Sequence, residues 1–159
     1  LITDGNIDIR RIDGPIALGS KMQAEAFLGP HRDEYSETVG WRVGGPQRSL
    51  LYVPDTDGWE GWERPIEDHL ATVDLALLDA TFFSSDELPD RDQSTIAHPT
   101  VTESLRRFAS LDDSARAKIR FTHLNHTNPL LHPDSDEYIR VVRSGMGVAI
   151  EGDTFELGR

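Results

Sequence analysis

Val73-Asp74-Leu75-Ala76-Leu77-Leu78-Asp79 decides the architecture. Apart from Asp74 the run is apolar, and it stops on a carboxylate. That pattern reads as a short buried strand rather than a surface segment. Upstream, Ser49–Val53 is a second apolar strand run, halted by Pro54, and Glu63–Thr72 reads as a helix with Pro65 in its first turn. Downstream, Pro99 precedes a helix over Thr100–Ser110, with Val101, Leu105 and Phe108 at helical spacing. Lys118–Leu124 reads as a strand and Ser135–Arg143 as a helix ended by Gly145. Gly147–Ile150 and Thr154–Leu157 fit a closing hairpin around Gly152-Asp153. Strands alternating with helices predict an α/β fold, a mixed sheet with helices on one face. Leu70, Leu105, Phe108, Ile139 and Val142 are the expected core. The amino-terminal part is strand-rich, with candidates at Asn6–Ile12, Gln23–Leu28 and Thr38–Val43, the last closed by Gly44-Gly45-Pro46.

The 159 residues suit a single domain spanning 1–159, and 37% hydrophobic with 28% charged residues is ordinary globular composition. Acidic residues number 28 against 16 basic ones, for a net charge of -12. So negative a surface repels phosphate backbones and anionic lipid, which argues against general nucleic-acid or membrane-surface binding. The absence of cysteine excludes disulfides, thiolate zinc sites and cysteine nucleophiles. No apolar run approaches the ~18 residues of a membrane span, and a cytoplasmic location is expected. Leu1 stands where a methionine would begin a whole chain, so a fragment or processed chain is also expected.

Ligands of such sheets collect at the carboxyl ends of the strands, and four strand exits carry unusual polar residues. They are Pro30-His31-Arg32-Asp33-Glu34, Pro54-Asp55-Thr56-Asp57, Asp79-Ala80-Thr81-Phe82 and Thr122-His123-Leu124-Asn125-His126-Thr127-Asn128-Pro129. Imidazoles and carboxylates meeting at one sheet edge are the donors a zinc or iron site uses. Each residue also has a plainer reading. Asp55 can cap the turn after Pro54 and Asp79 a loop; His123 or His126 can be a satisfied buried histidine. The Asp33/Glu34/Glu37 cluster reads as a solvated face, and Trp59 and Trp62 as a hydrophobic lid or core plug. Neither a phosphate-cradling glycine loop nor a nucleophile elbow is present.

These exit blocks, with Ser36-Glu37-Thr38-Val39-Gly40 and Leu51-Tyr52-Val53-Pro54-Asp55, resemble the metallo-β-lactamase-fold proteins. Within them the similarity is to the branch of pyrroloquinoline quinone biosynthesis protein B and its relatives, and it runs from Pro30 to about Leu157. The resemblance implies the carboxy-terminal half of an αβ/βα sandwich, without the histidine-rich motif of the amino-terminal half. It implies Asp55 as a metal-bridging carboxylate and His123 as a metal ligand. His31, Asp79 and His126 would line the cavity, with Thr81 and Asn128 orienting the ligands. The cofactor implied is zinc or iron, at a site incomplete in this chain, and the reaction is hydrolysis or oxygenation of a small molecule. The alternative is a non-catalytic binding or structural half-domain. Either way, an apolar sheet face with Leu50, Tyr52 and Val53 is expected to pack on a missing half or a second copy.

Overall fold

The structure, a computed structural model, describes residues 3, 5, 6, 8, 11–32, 37–87 and 97–158. One sheet runs through it in chain order: β1 (Ile16–Ala17), β2 (Gln23–Leu28), β3 (Val39–Gly44), β4 (Ser49–Val53), β5 (Leu75–Asp79), β6 (Ile119–Thr122) and β7 (Gly147–Val148). The first four strands are joined by antiparallel ladders. From β4 onward every pairing is parallel. Parallel neighbours need crossovers, and α1 (Ile66–Leu70), α2 (Val101–Phe108) with α3 (Asp113–Arg116), and α4 (Asp136–Arg143) supply them. Right-handed crossovers between strands laid down in one direction bring these helices to one face.

That face is the core. Leu51, Val53, Ala76, Leu78, Ile119 and Phe121 are each at most 1% exposed, and Ile66, Leu70, Val101, Phe108 and Val141 of the helices meet them. Alternation turns Leu50, Tyr52 and Leu77 to the opposite face, where they line an open apolar cavity of about 680 Å3 with Trp41, Val43 and Phe155. Val53, expected on that open face, is instead buried under the helices.

Boundaries follow local chemistry. The helix expected over Glu63–Thr72 starts only at Ile66, because Pro65 is extended (ψ 143) and caps it rather than joining its first turn. Thr100 closes a capping box with Glu103 at the start of α2. The expected hairpin does not form. Gly147–Val148 pairs in parallel with β6, Asp153 closes a turn on Ile150, and the Leu157 carbonyl accepts from the Gln47 and Arg48 amides. The α4 crossover had already delivered β7 beside β6, leaving the tail to cover the β3–β4 turn. Val142, expected in the core, is 52% exposed, and Val141 takes its place. Tyr138, Ile139, Val141 and Val142 offer two adjacent i, i+3 stripes, and periodicity does not rank them. Among the described residues the first strand is Ile16–Ala17; Ile7, Ile9 and Arg10 of the expected Asn6–Ile12 strand lie outside them, as do Leu1, Asp33 and Glu34.

Trp59 is a core plug, 3% exposed, and its indole N–H donates to Ser104 Oγ at 2.8 Å. Next to it His69 stacks on Phe27 (4.6 Å between centroids) and meets Trp62 edge-on (5.8 Å). The His69 Nδ1 atom is buried without a partner. Burial, then the Arg64 and Arg42 charges, lower its pKa from 6.5 despite Asp68. The unfolded chain therefore binds the proton better. Stability from this position is complete above about pH 6.5 and declines as pH falls toward the lowered folded value. Thermal melts from about pH 8 to about pH 5 should show a steeper acid-side loss in the parent than in His69→Phe; equal slopes would mean that the imidazole is not held neutral.

Candidate metal centre

Strands β4, β5 and β6 are parallel neighbours, so their carboxyl ends share one edge. Strand β2 is antiparallel to β3, which is antiparallel to β4, and so it exits at the same end. All four exits are tied together there. The Pro30 carbonyl accepts from the Asp57 amide (2.8 Å) and from Thr56 Oγ1 (3.0 Å), and the Thr56 amide donates to Asp79 Oδ2 at 3.2 Å. The first residue of α2 joins them, the Val101 amide donating to the Phe82 carbonyl at 2.9 Å. That contact carries His98 to the cluster.

Asp79 is wholly buried and heavily hydrogen-bonded. Besides the Thr56 amide it accepts from the Thr81 amide (2.9 Å), Thr81 Oγ1 (2.8 Å) and His98 Nδ1 (2.8 Å). Burial alone would raise its pKa, but hydrogen bonding from the nearby His123 and from His98, with the His98 charge and Thr81, outweighs it and holds the carboxyl below its ordinary range. A carboxylate so fully engaged is suited to orienting imidazoles rather than to binding an ion itself. Asp79, His98 and His123 nevertheless each offer a ligand atom, all within 4.8 Å of one another.

His123 ends β6 with φ +60, the left-handed region that ordinary side chains avoid. The turn swings its ring back, Nδ1 lying 2.9 Å from Thr81 Oγ1 and 3.6 Å from Asp79 Oδ1. Asp79, beside it, raises the His123 pKa against the opposing effect of burial, with Asp55 adding to the rise. Asp55 approaches from the β4 exit: its Oδ1 is 3.5 Å from His98 Nδ1 and 3.4 Å from His31 Nε2. That oxygen is buried and has no hydrogen-bond partner. An orphaned carboxylate oxygen among imidazole nitrogens is a donor set that fits a divalent cation.

Of the residues singled out from sequence, His31, Asp55, Asp79, Thr81 and His123 are thus brought together. Asn128 is buried behind them. Its side-chain amide donates to the Ala80 and Thr81 carbonyls, and its oxygen accepts from the Leu130 amide, so it braces the β5 exit. His126 is not part of the group: it is exposed, and its ring bonds Asn125 Oδ1 at 3.0 Å. Past the left-handed His123 the chain turns outward, so spacing from one histidine does not bring in the other. His98 escaped the sequence reading because no strand leads to it; its signal is the Pro99 that follows, which favours extended backbone before a helix. Beside His98 a polar cavity of about 780 Å3 runs along the start of α2, lined by Asp57, Glu60, Thr100 and Arg106 among others. Among the described residues no helix is long and apolar enough to cross a membrane.

Coenzyme PQQ synthesis protein B of a Methylorubrum extorquens strain is 30% identical over 129 residues, covering 78% of this chain and 42% of that protein. The Pseudomonas putida protein of the same name is 33% identical over 121 residues, covering 73% of this chain and 38% of that protein. The chain therefore spans about two-fifths of the length of these curated relatives. Zn(2+)-bound PqqB from Methylobacterium extorquens superposes with a TM-score of 0.73 at 22% identity, over 92% of this chain and 54% of that one. An isothiocyanate hydrolase from Delia radicum gut bacteria gives 0.62 at 14% identity, over 98% of this chain and 61% of that one. Both are likenesses of fold. The sequence pattern of the β-lactamase superfamily domain matches residues 4–142, and the chain belongs to that family.

Proposed function

We propose that this chain contributes a divalent-metal centre to a metal-dependent enzyme of the metallo-β-lactamase fold, related to proteins of pyrroloquinoline quinone biosynthesis and acting on a small molecule. The observation that carries the reading is the convergence of His98 and His123 on buried Asp79, their ligand atoms within 4.8 Å, with the orphaned Asp55 oxygen alongside. Asp55 and His123 are the proposed ligands, now with His98, while Asp79 and Thr81 fix the two rings. Imidazole and carboxylate donors suit zinc and iron alike, and the zinc in the structural relative supports zinc. A bound cation would lower the pKa of its water to about 7 and polarise a carbonyl or phosphoryl oxygen. The polar cavity beside His98 is where a substrate would lie, with Arg106 available to an anionic group. Hydrolysis is the reaction we favour over oxygenation, since that chemistry needs nothing besides water. A cytoplasmic location belongs to the same reading.

The open apolar face supports a second element. The exposed Tyr52, with Leu50, Trp41 and Leu77, forms a surface of the kind that drives association, and the relatives are more than twice as long as the matched region. We propose that further polypeptide or a second copy covers it, and that the chain by itself turns over little. A non-catalytic half-domain would share that face but bind no metal.

Metal analysis after dialysis tests the reading. The parent chain should retain roughly one divalent ion or more. His123→Ala and His123→Gly should both lose most of it. The glycine variant tolerates φ +60 and should be about 1 kcal/mol more stable than the alanine variant. Unchanged metal content in both variants would reduce His123 to a structural residue.

A further inference from the structure

Trp62, unlike the core plug Trp59, is only half-buried, and it touches both sides of the junction between the β2 and β4 exits. On one side its ring lies on Gly29. A Cβ there would stand 3.3 Å from Trp62 Cη2, so glycine is what lets the indole come this close to the residue before Pro30. Gly29 is itself tied to the sheet, its amide donating to the Thr38 carbonyl at 3.0 Å. Phe27 and His69 border the same ring, with centroids 6.0 and 5.8 Å away. On the other side the chain turns at Gly61, where φ is +81, and the Trp62 indole N–H comes back to donate to the Gly58 carbonyl at 2.8 Å.

That carbonyl matters because Thr56 also reaches it. Thr56 is wholly buried, and its Oγ1 lies 3.1 Å from the Gly58 carbonyl and 3.0 Å from the Pro30 carbonyl. A hydroxyl has one hydrogen to donate. The Pro30 carbonyl has a second donor in the Asp57 amide, and the Gly58 carbonyl has one in the Trp62 indole. With both in place the hydroxyl is free to tie Thr56 to Pro30, across the junction. Without the indole the Gly58 carbonyl becomes the poorer-supplied acceptor and draws that hydrogen back onto its own loop. What the tie fixes is Asp55. Its Oδ1 is buried with no hydrogen-bond partner, so the neighbouring backbone must set where that oxygen stands. Thr56 supplies the anchor, through its amide on Asp79 Oδ2 at 3.2 Å and its hydroxyl on Pro30.

We propose that Trp62 is a positioning residue of the metal centre: by satisfying the Gly58 carbonyl it leaves the Thr56 hydroxyl to Pro30, and so holds Asp55 where its orphaned oxygen meets the cation. The inference rests on the metal reading above and adds to it a residue outside the ligand set.

The test uses the full chain, with zinc affinity measured by competition with a chromophoric chelator and hydrogen exchange followed by 15N-resolved NMR. Trp62→Phe keeps a ring on Gly29 but has no N–H, and should weaken zinc binding about 10-fold. Thr56→Val should weaken it about 10–100-fold. That variant should fold, since each carbonyl keeps its other donor. Thr56→Ser, which restores the hydroxyl, should return to within about threefold of the parent. The two losses should not multiply: in the Thr56→Val background, Trp62→Phe should change affinity by less than about twofold. In metal-free Trp62→Phe the Asp57 amide should exchange about 10-fold faster than in the parent. A Trp62→Phe affinity within about threefold of the parent, an unchanged Asp57 amide, or losses that multiply in the double variant would reduce Trp62 to packing and overturn the inference, leaving the Asp55/His98/His123 centre standing. No zinc binding by the parent would remove both. Should Trp62→Phe fail to fold, the parent decides by reciprocity: zinc should slow exchange of the Trp62 indole hydrogen about 10-fold beyond any change at the core-held Trp59 indole. An equal change at the two indoles would overturn the inference.

Discussion

Phe108→Ala should cost about 3–5 kcal/mol of folding stability, the range of a fully buried aromatic truncation. Phe108 is 0% exposed at the last turn of α2. Its ring lies 5.6 Å from that of Trp59 at an interplanar angle of 52°, and Trp59 is anchored by its bond to Ser104 one turn earlier on the same helix. The cavity left by alanine could close only if Trp59 moved, which would break that bond and leave a buried N–H unpaired. The site therefore relaxes little and sits toward the upper part of the range. For a chain of this size the melting temperature should fall by about 10 °C. Phe108→Asn should be worse, since it adds an unpaired amide. Val142→Ala, on the exposed side of α4, should change stability by less than about 0.5 kcal/mol. A loss that small at Phe108 would contradict the packing of α2 on the sheet.

The parts of this fold that were legible in the sequence are those where a single local force decides. Gln23–Leu28 and Ser49–Val53 have the bounds their residues suggest, because apolar alternation or an apolar run ends at Gly29-Pro30 in one case and at Pro54 in the other. Helix α2 was legible for the same reason: Thr100 and Glu103 announce its start, and Val101, Leu105 and Phe108 draw one stripe. Where two stripes compete, as in α4, only packing against the short helical turn Pro129–Leu131 and β7 chooses Val141 over Val142. The carboxy-terminal hairpin failed because Gly152-Asp153 is a good turn wherever it stands. The turn formed, but the strand partner of Gly147–Val148 was fixed by a crossover that local sequence does not encode.

The candidate site divides in the same way. Asp55, Asp79 and His123 follow strands, and parallel strands must deliver their ends to one edge, so a sequence rule reaches them. His31 becomes part of the group because two antiparallel ladders return β2 to the same direction as β4. His98 comes from the approach to a helix and is aligned by a bridge between Phe82 and Thr100, a tertiary contact invisible in spacing. His126 has the tempting interval from His123, but the positive φ of His123 separates their directions.

Removing the buried carboxylate should be as damaging as emptying the core, and for a different reason. Asp79→Ala leaves the Thr56 and Thr81 amides and His98 Nδ1 without their acceptor around a wholly buried position. Each orphaned donor costs about 1–3 kcal/mol, and breaking a buried charged network by deleting one partner costs about 3–5 kcal/mol in total. Asp79→Asn separates folding from metal binding. Its oxygen can keep either the Thr81 amide and hydroxyl or the Thr56 amide and His98, and the orientation that keeps Thr81 sets its amide nitrogen against the Thr56 amide and His98, so the side chain still fills its place with His98 turned out of line. Zinc affinity in Asp79→Asn should then fall about 10–100-fold, as for other losses of a carboxylate behind a metal-bound histidine, while its melting temperature stays much closer to the parent's than that of Asp79→Ala. Because the folded Asp79 carboxyl is held below its ordinary range, its contribution is fully present above the unfolded value of about 4 and is lost as pH falls through the lower folded one. The stability gap between the parent and Asp79→Asn should therefore narrow in acid. If Asp79→Asn bound zinc as tightly as the parent at neutral pH, Asp79 would support the backbone of the β5 exit alone, and the orientation of His98 and His123 would have to come from Thr81.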